Sequence, residues 1–137
     1  MSENPPKQRQ AGFRLAVTAT VLSLVVLLLG VFTRLTDAGL SCPDWPGCYG
    51  HFSWPSNADA ITRAERLYPD NLVEYQKSMV DMVHRYAAAV LGLLAITLAV
   101  ISWLRREDEG YPFRLPTFIL FLVVWQSLFG MWSVTLK

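Results

Sequence analysis

Three stretches of the sequence are apolar over lengths typical of membrane-spanning helices. Each is close to the roughly 20 residues that an α-helix needs to cross about 30 Å of hydrocarbon. Inside a bilayer the backbone must satisfy its own hydrogen bonds, which favours helices over irregular structure. The pattern therefore predicts an all-α, polytopic membrane helical bundle with three transmembrane helices, over about residues 15–34, 81–104 and 115–136.

A long segment, about residues 35–80, separates the first two predicted helices. Its first part, CPDWPGCYGHFSWP, is rich in aromatic residues, glycine and proline. Such residues are typical of an aromatic belt at the membrane–water interface, and a lid over a hydrophobic ligand is the alternative. In the second part apolar residues recur at helical spacing, which predicts short amphipathic helices on the membrane surface, separated by Pro69. The recurring positions are Ile61, Ala64 and Tyr68, and then Leu72, Tyr75 and Met79.

Basic residues predict which side of the membrane each segment faces. They precede the first helix and lie between the second and third, at Lys7, Arg9, Arg14, Arg105, Arg106 and Arg114. The positive-inside rule places these segments in the cytoplasm. Residues 1–12 are then a cytoplasmic tail, and the loop 35–80 faces the periplasm from the inner (plasma) membrane. A signal peptide is the alternative for the first stretch, but its apolar core is long and no Ala-x-Ala site follows it.

Composition agrees with a membrane protein. Hydrophobic residues make up 53% of the chain and the mean hydropathy is +0.30, which is too apolar for an ordinary soluble domain of 137 residues. The lipid bilayer is therefore a predicted partner. The net charge of +1 gives no indication of nucleic-acid binding.

The only two cysteines, Cys42 and Cys48, fall in the predicted outer loop. That compartment is oxidising, and the intervening prolines and glycine allow a tight turn that brings the sulfurs together, so a disulfide is expected. Two free thiols remain an alternative. A zinc site is disfavoured because only His51 stands nearby as a third ligand, and a catalytic redox pair more often has C-x-x-C spacing.

The second predicted span begins with ionisable residues, which are functional candidates inside a membrane. His84 and Arg85 stand in its first turn, and Asp81, three residues earlier, shares a helix face with His84. A metal, often heme iron, is the usual partner of an imidazole in a helical membrane bundle. Ala88 and Gly92 continue that face with small residues, which leaves room for a helix or a flat macrocycle. The alternative is that His84, like His51 in the loop, is structural and reaches interfacial water.

The sequence resembles the heme A synthase family over about residues 12–137. The residues that carry the resemblance are TRLTDAGLSCPDWPGC at 33–48, MVHRY at 82–86, QSLFG at 126–130 and the WSVT that follows. The resemblance implies an eight-helix protein of two related four-helix halves. It implies oxidation of the C8 methyl of heme O to a formyl group, which gives heme A for cytochrome oxidase, with heme b as cofactor.

Particular residues take their expected roles from this resemblance. His84 matches the histidine that is thought to hold the iron of the substrate heme in the N-terminal half. Asp81 stands where the family carries a carboxylate, usually glutamate, that is implicated in the chemistry. Independently of the resemblance, the guanidinium of Arg85 is a cation suited to a heme propionate. Cys42 and Cys48 match the disulfide pair of the outer loop. The sequence departs from the family at Asp81, which is one methylene shorter than glutamate, and at Ala88-Ala89, where many members have Gly-Arg.

The chain ends directly after the third predicted helix, so residues 13–137 are expected to be an N-terminal portion that is inactive alone. The partner histidine and the cofactor site are expected on later helices. Heme O synthase, cytochrome oxidase assembly factors and a second copy of the chain remain open as partners. Three other functions remain open as well. They are a non-catalytic three-helix assembly or interaction protein, a thiol–disulfide protein, and an electron-transfer subunit of the cytochrome b type, which would need a second ligand histidine in a facing helix that this sequence lacks.

Overall fold

The computed structural model describes residues 6–107 and 111–136, with side chains from Gly12 onward. Four helices make up its regular structure, and the described residues contain no strand beyond an isolated bridge between Cys48 and His51. Three of the helices are long and apolar enough to cross a membrane. The prediction of an all-α fold with three candidate spans is therefore confirmed. The helices are α1 (Pro6–Leu35), α2 (Ala58–Leu67), α3 (Tyr75–Leu104) and α4 (Arg114–Thr135).

Helix α1 begins earlier than the hydrophobic pattern indicated. It starts at Pro6 rather than near residue 15, so positions 6–12 of the expected tail are helical, while residues 1–5 lie outside the described part. Proline is compatible with a first helical turn, and the Lys, Gln, Arg and Ala residues that follow are good helix formers. At the other end the N–H of Ala38 donates to the carbonyl of Thr33 (2.8 Å), and Asp37 has a φ of +53°, which closes the helix with a turn.

The loop between α1 and α3 contains the amphipathic helix α2. Asn57 caps it by accepting a hydrogen bond from the N–H of Ala60 (2.8 Å). Asp59 in the first turn and Arg66 in the last turn complement the helix dipole. The second predicted amphipathic helix does not form separately, because α3 begins at Tyr75 and incorporates most of it. A break is absent there because the sequence from Tyr75 to Asp81 contains no glycine or proline.

Helix α3 is the central element of the membrane bundle. It packs against both α1 and α4, whereas α1 and α4 make no contact with each other among the described residues. Its buried residues far from the loop are small, namely Ala95, Ala99 and Ser102. Small side chains let neighbouring helices approach closely where no hydrophobic effect drives association. Most large apolar side chains of α1 and α4 are exposed, as expected for surfaces that face lipid or other helices.

The outer loop forms a small core of its own on the first turns of α3. Cys42, Cys48, Tyr49, Ala64 and Met82 are buried together. Trp54, Tyr68 and Val73 pack around this cluster. The loop is therefore anchored to α3 through Met82 and to α2 through Ala64. Some of the aromatic residues expected in an interfacial belt are instead part of this core.

Candidate functional site

His84 lies in the seam between α3 and α1. A Cβ atom placed on Gly30 of α1 would lie only 3.2 Å from the imidazole Cε1, so the ring sits directly against the Gly30 backbone. The ring also approaches the backbone carbonyl of Val26, one turn earlier in α1. Its Nδ1 is buried and has no hydrogen-bond partner among the described residues. The imidazole thus faces the neighbouring helix and has one buried nitrogen without a hydrogen-bond partner among the described residues.

Asp81 is buried on α3, with 4% of its surface exposed, and is paired with Arg85. Arg85 Nε donates to Asp81 Oδ1 (3.3 Å), and Arg85 Nη2 donates to Asp81 Oδ2 (2.9 Å), which makes a two-point ion pair along the helix. The backbone of Cys42 also lies close to the carboxylate. Leaving a buried carboxylate without such partners would be strongly destabilising. The carboxylate is therefore oriented by Arg85 and the loop rather than by the imidazole of His84.

Arg85 connects the membrane helix with the outer loop. Its Nη1 donates to the backbone carbonyls of Asp44 (2.8 Å) and Gly47 (2.7 Å). Together with the two bonds to Asp81, these contacts use four of the five N–H donors of the guanidinium. A single N–H, on Nη2, therefore remains for the heme propionate that Arg85 is expected to bind.

The segment between the cysteines is organised by Asp44. Its carboxylate accepts hydrogen bonds from the N–H groups of Tyr49 (2.5 Å) and Gly50 (2.9 Å). Both of these residues have positive φ, +53° and +77°, a conformation that the carboxylate bonds help to hold. A side chain at Gly47 would lie 2.5 Å from the carbonyl oxygen of His51, so only glycine fits there. The loop therefore has one closely defined conformation.

The two cysteines form a disulfide, and both are fully buried. The predicted pairing is thus confirmed, and the described part of the chain has no free cysteine. No group of three potential metal ligands occurs within residues 6–107 and 111–136, so nothing supports the alternative of a zinc site. His51 exchanges backbone hydrogen bonds with Cys48 (2.8 and 3.1 Å), while its Nε2 is buried without a partner in the described structure.

Two tyrosines fix the remainder of the loop. The hydroxyl of Tyr49 donates to the carbonyl of Leu72 (3.1 Å), and that of Tyr86 on α3 donates to the carbonyl of Phe52. Burial raises the pKa of the Tyr49 phenol, the nearby Ser78 side chain opposes the rise, and nearby carboxylates add to it. The loop is consequently tied to α3 at several points along its length.

The sequence predicted some of these residues and missed others. His84, Asp81 and Arg85 do lie close together at the loop end of α3, and the disulfide lies beside them. The roles of Asp44 and Gly47 were missed. Asp44, with Pro46 and Gly47 two and three residues later, is part of a turn signal, but that signal does not say which N–H groups the carboxylate binds.

Space for a ligand lies farther along α3. A Cβ placed on Gly92 would have no atom within 4 Å, so the surface two turns beyond His84 is open. Ala88, between them, is a small residue that is only partly buried. The structure thus has a buried, unpartnered imidazole nitrogen and, two turns away on the same helix, an unfilled surface of small residues.

Comparison with known proteins identifies relatives across most of the chain. Residues 13–137 match the COX15-CtaA family, described as cytochrome oxidase assembly protein. Heme A synthase of Shewanella oneidensis is 45% identical over 117 residues, which cover 85% of this chain and 34% of that protein. Heme A synthase of Shouchella clausii is 27% identical over 122 residues, which cover 88% of this chain and 35% of that protein.

A third relative has a different name. Protoheme IX farnesyltransferase 1 of Natronomonas pharaonis is 34% identical over 96 residues, 69% of this chain but only 16% of that protein. No solved structure matches the chain. The chain spans about a third of the length of the heme A synthases that it matches.

Proposed function

The chain belongs to the COX15-CtaA family of cytochrome oxidase assembly proteins, and we propose that the full-length protein is a heme A synthase. The reaction is oxidation of the C8 methyl of heme O to a formyl group, a step of heme A biosynthesis. The observation that carries the proposal is the 45% identity to a heme A synthase over 85% of this chain. The chain itself covers a third of that relative, so the activity is proposed for the whole protein, with this portion contributing part of the site.

His84 is the proposed ligand of the heme O iron. Imidazole is the usual protein ligand of heme iron, and Nδ1 of this residue is buried without a partner in the described structure. The open surface at Gly92 is suited to a flat macrocycle beside the helix. Donor chemistry and space therefore both fit a heme. The second axial ligand is expected from the remainder of the full-length protein.

Asp81 is the proposed proton-handling group. Each carboxylate oxygen has more than one lone pair, so Asp81 can accept a proton from the substrate side while its bonds to Arg85 persist. General acid–base roles of this kind need a carboxylate that is already oriented, and the two bonds from Arg85 supply that orientation. The remaining N–H on Arg85 Nη2 is the donor proposed for a heme propionate.

Heme b, held elsewhere in the full-length protein, is the proposed resident cofactor and supplies the redox chemistry that protein side chains lack. In this portion the residues bind and orient the substrate. The folded loop lies against the N-terminal turns of α3 through Met82, where it limits access of water to Asp81. We place the loop on the periplasmic side of the inner membrane, with the N-terminus in the cytoplasm. Heme O synthase and cytochrome oxidase assembly factors are the proposed partners.

The test uses the full-length protein and replaces, one at a time, the two histidines of this portion, His84 and His51. His84→Ala is expected to lower heme occupancy and to abolish most heme A formation, because the iron loses a ligand. His51→Ala is the matched control, since the bridge to Cys48 uses the His51 backbone and survives the change. Absorption spectra of the purified proteins and extraction of heme A measure both effects. Wild-type heme content and heme A output in His84→Ala would contradict the proposal.

A non-catalytic membrane assembly protein is the second candidate. The family description, cytochrome oxidase assembly protein, fits such a role as well. That function predicts that the full-length protein purifies without heme and that loss of His84 has no effect on cytochrome oxidase. The same measurements of heme content therefore discriminate the two functions.

A further inference from the structure

Arg85 is the contact point at which the outer loop meets the ionisable residues of α3. Its guanidinium bonds on one side to the carboxylate of Asp81 and on the other to the carbonyls of Asp44 and Gly47. We propose that Arg85 is a positioning residue that couples the disulfide loop to the Asp81 carboxylate. The connection to heme chemistry rests on the proposed function, whereas the coupling itself does not involve heme.

Among cationic side chains, the guanidinium is the one suited to bonding the loop and the carboxylate together. Its planar fork presents several N–H donors at fixed angles, so one residue bonds a carboxylate and two carbonyls simultaneously. The side chain is largely buried, with 13% of it exposed, and the Asp81 side chain is 6% exposed. Losing either partner would leave a charge with little access to water, which is costly. The fork therefore holds α3 and the loop in one relative arrangement.

The disulfide determines whether the loop presents its acceptors. Asp44 and Gly47 both lie between Cys42 and Cys48, inside the ring that the disulfide closes. Asp44, inside the ring, binds through its carboxylate the N–H groups of Tyr49 and Gly50, the two residues that follow the ring, which fixes the turn. The backbone of Cys42 itself lies close to Asp81. Opening the ring would thus release Arg85 from the two carbonyls and move the Cys42 backbone relative to Asp81 in one event.

Coupling of this kind acts in both directions. If an intact ring holds Arg85 in place, then Arg85 also holds the ring closed, because the same contacts connect them. Reduction of a fully buried disulfide requires local opening of the structure around it. The rate of reduction therefore reports on the contacts that Arg85 makes.

The experiment measures that rate in the full-length protein in detergent. Dithiothreitol is added, thiols are alkylated at intervals, and the peptides that contain Cys42 and Cys48 are quantified by mass spectrometry. Arg85→Gln is expected to be reduced about tenfold faster than the wild type, since local opening becomes easier. Arg85→Lys is expected to be accelerated as well, because an ammonium lacks the fork. Arg63→Gln, on the exposed face of α2, is the matched control and should behave as the wild type.

A wild-type reduction rate in Arg85→Gln would overturn the proposal. If that variant cannot be recovered from membranes, Arg85→Lys decides the matter by the same criterion. A general loss of stability is distinguished by a double-variant cycle that uses hydrogen exchange at residues 42–51. Arg85→Gln should add little to the exchange of a variant in which Cys42 and Cys48 are both serine, whereas additive effects would show that Arg85 does not act through the ring.

The outcomes for the coupling and for the proposed function are separate. Reduction and exchange rates do not require heme, and the His84→Ala measurement does not require the loop. Faster reduction in Arg85→Gln, with normal heme content in His84→Ala, supports the coupling and rejects the heme site. A wild-type reduction rate in Arg85→Gln, with loss of heme in His84→Ala, supports the heme site and rejects the coupling.

Discussion

The imidazole of His84 rests on the backbone of Gly30, with no space for a side chain between them. A methyl group at position 30 would lie 3.2 Å from Cε1, closer than an ordinary van der Waals contact. The contact places the candidate heme ligand of α3 against α1. Glycine at this position is therefore part of the site, although it contributes no chemical group.

Gly30→Ala is expected to preserve the fold and to displace the imidazole by a few tenths of an ångström. Alanine is the better helix former by about 1 kcal/mol, so the thermal midpoint should not fall. We expect heme affinity to fall about tenfold, as for a loss of roughly 1.4 kcal/mol. Titration of the full-length apoprotein with heme measures the change. Gly130→Ala, which adds a methyl group in open space on α4, is the control, and equal affinities in the two variants would contradict the prediction.

Gly47→Ala is expected to disrupt the outer loop. Its Cβ would lie 2.5 Å from the carbonyl oxygen of His51, a backbone atom that cannot move aside without breaking the bridge to Cys48. Overpacking of this kind typically costs about 1–3 kcal/mol. The thermal midpoint in detergent should fall accordingly, and exchange at residues 44–51 should rise. Gly39→Ala, also in the loop but with nothing nearby, should change neither quantity.

Asp44→Asn is expected to loosen the turn between the cysteines. The carboxylate accepts two N–H groups, and an amide has only one oxygen with which to accept them. Because the Tyr49 bond is partly buried and the Gly50 bond is exposed, the cost should be about 1 kcal/mol, the lower end for an unsatisfied N–H, and the unfolding midpoint reports the loss. Asp70→Asn is the control, because it removes the same charge at an exposed position. If both variants are equally stable, Asp44 does not organise the loop.

Tyr49 is expected to make the loop sensitive to high pH. Because burial raises the folded-state pKa of its phenol above the ordinary value near 10, the unfolded state loses this proton first as pH rises. Stability contributed by Tyr49 is therefore complete below about pH 10 and falls above it. Tyr49→Phe should remove this part of the pH dependence and cost about 1 kcal/mol at neutral pH through the lost bond to Leu72.

The comparison for Tyr49 is made with unfolding midpoints of the two proteins at several alkaline pH values. Tyr75→Phe, a change at an exposed residue, controls for the general effect of losing a tyrosine. A wild-type slope in Tyr49→Phe would show that other groups cause the alkaline loss.

The sequence predicted those features that depend on local pattern. The three spans follow from hydrophobic length, and α2 follows from the spacing of Ile61 and Ala64 within a polar segment. The early starts of α1 and α3 were not predicted, because polar residues that form helices well carry no hydrophobic signal of their own.

In the candidate site, too, some features were predicted from the sequence and others were not. His84, Asp81 and Arg85 were predicted because ionisable groups at the start of an apolar span are conspicuous. The partners of Arg85 were not, since two of them are backbone carbonyls about 40 positions earlier in the chain, and every residue has a carbonyl. The contact of His84 with Gly30 was missed for a similar reason, because the side-by-side register of two helices is set by packing across the bundle.

The order of these residues along the chain has a consequence for biogenesis. Asp44 and Gly47 precede Arg85, so a ribosome completes the loop before it makes the arginine that the loop will bind. Asp81, whose negative charge pairs with Arg85, lies one turn earlier in the same helix. Helix α3 therefore enters the membrane with its internal ion pair available. The loop has already been synthesised by then, so its carbonyls can accept the remaining hydrogen bonds of Arg85.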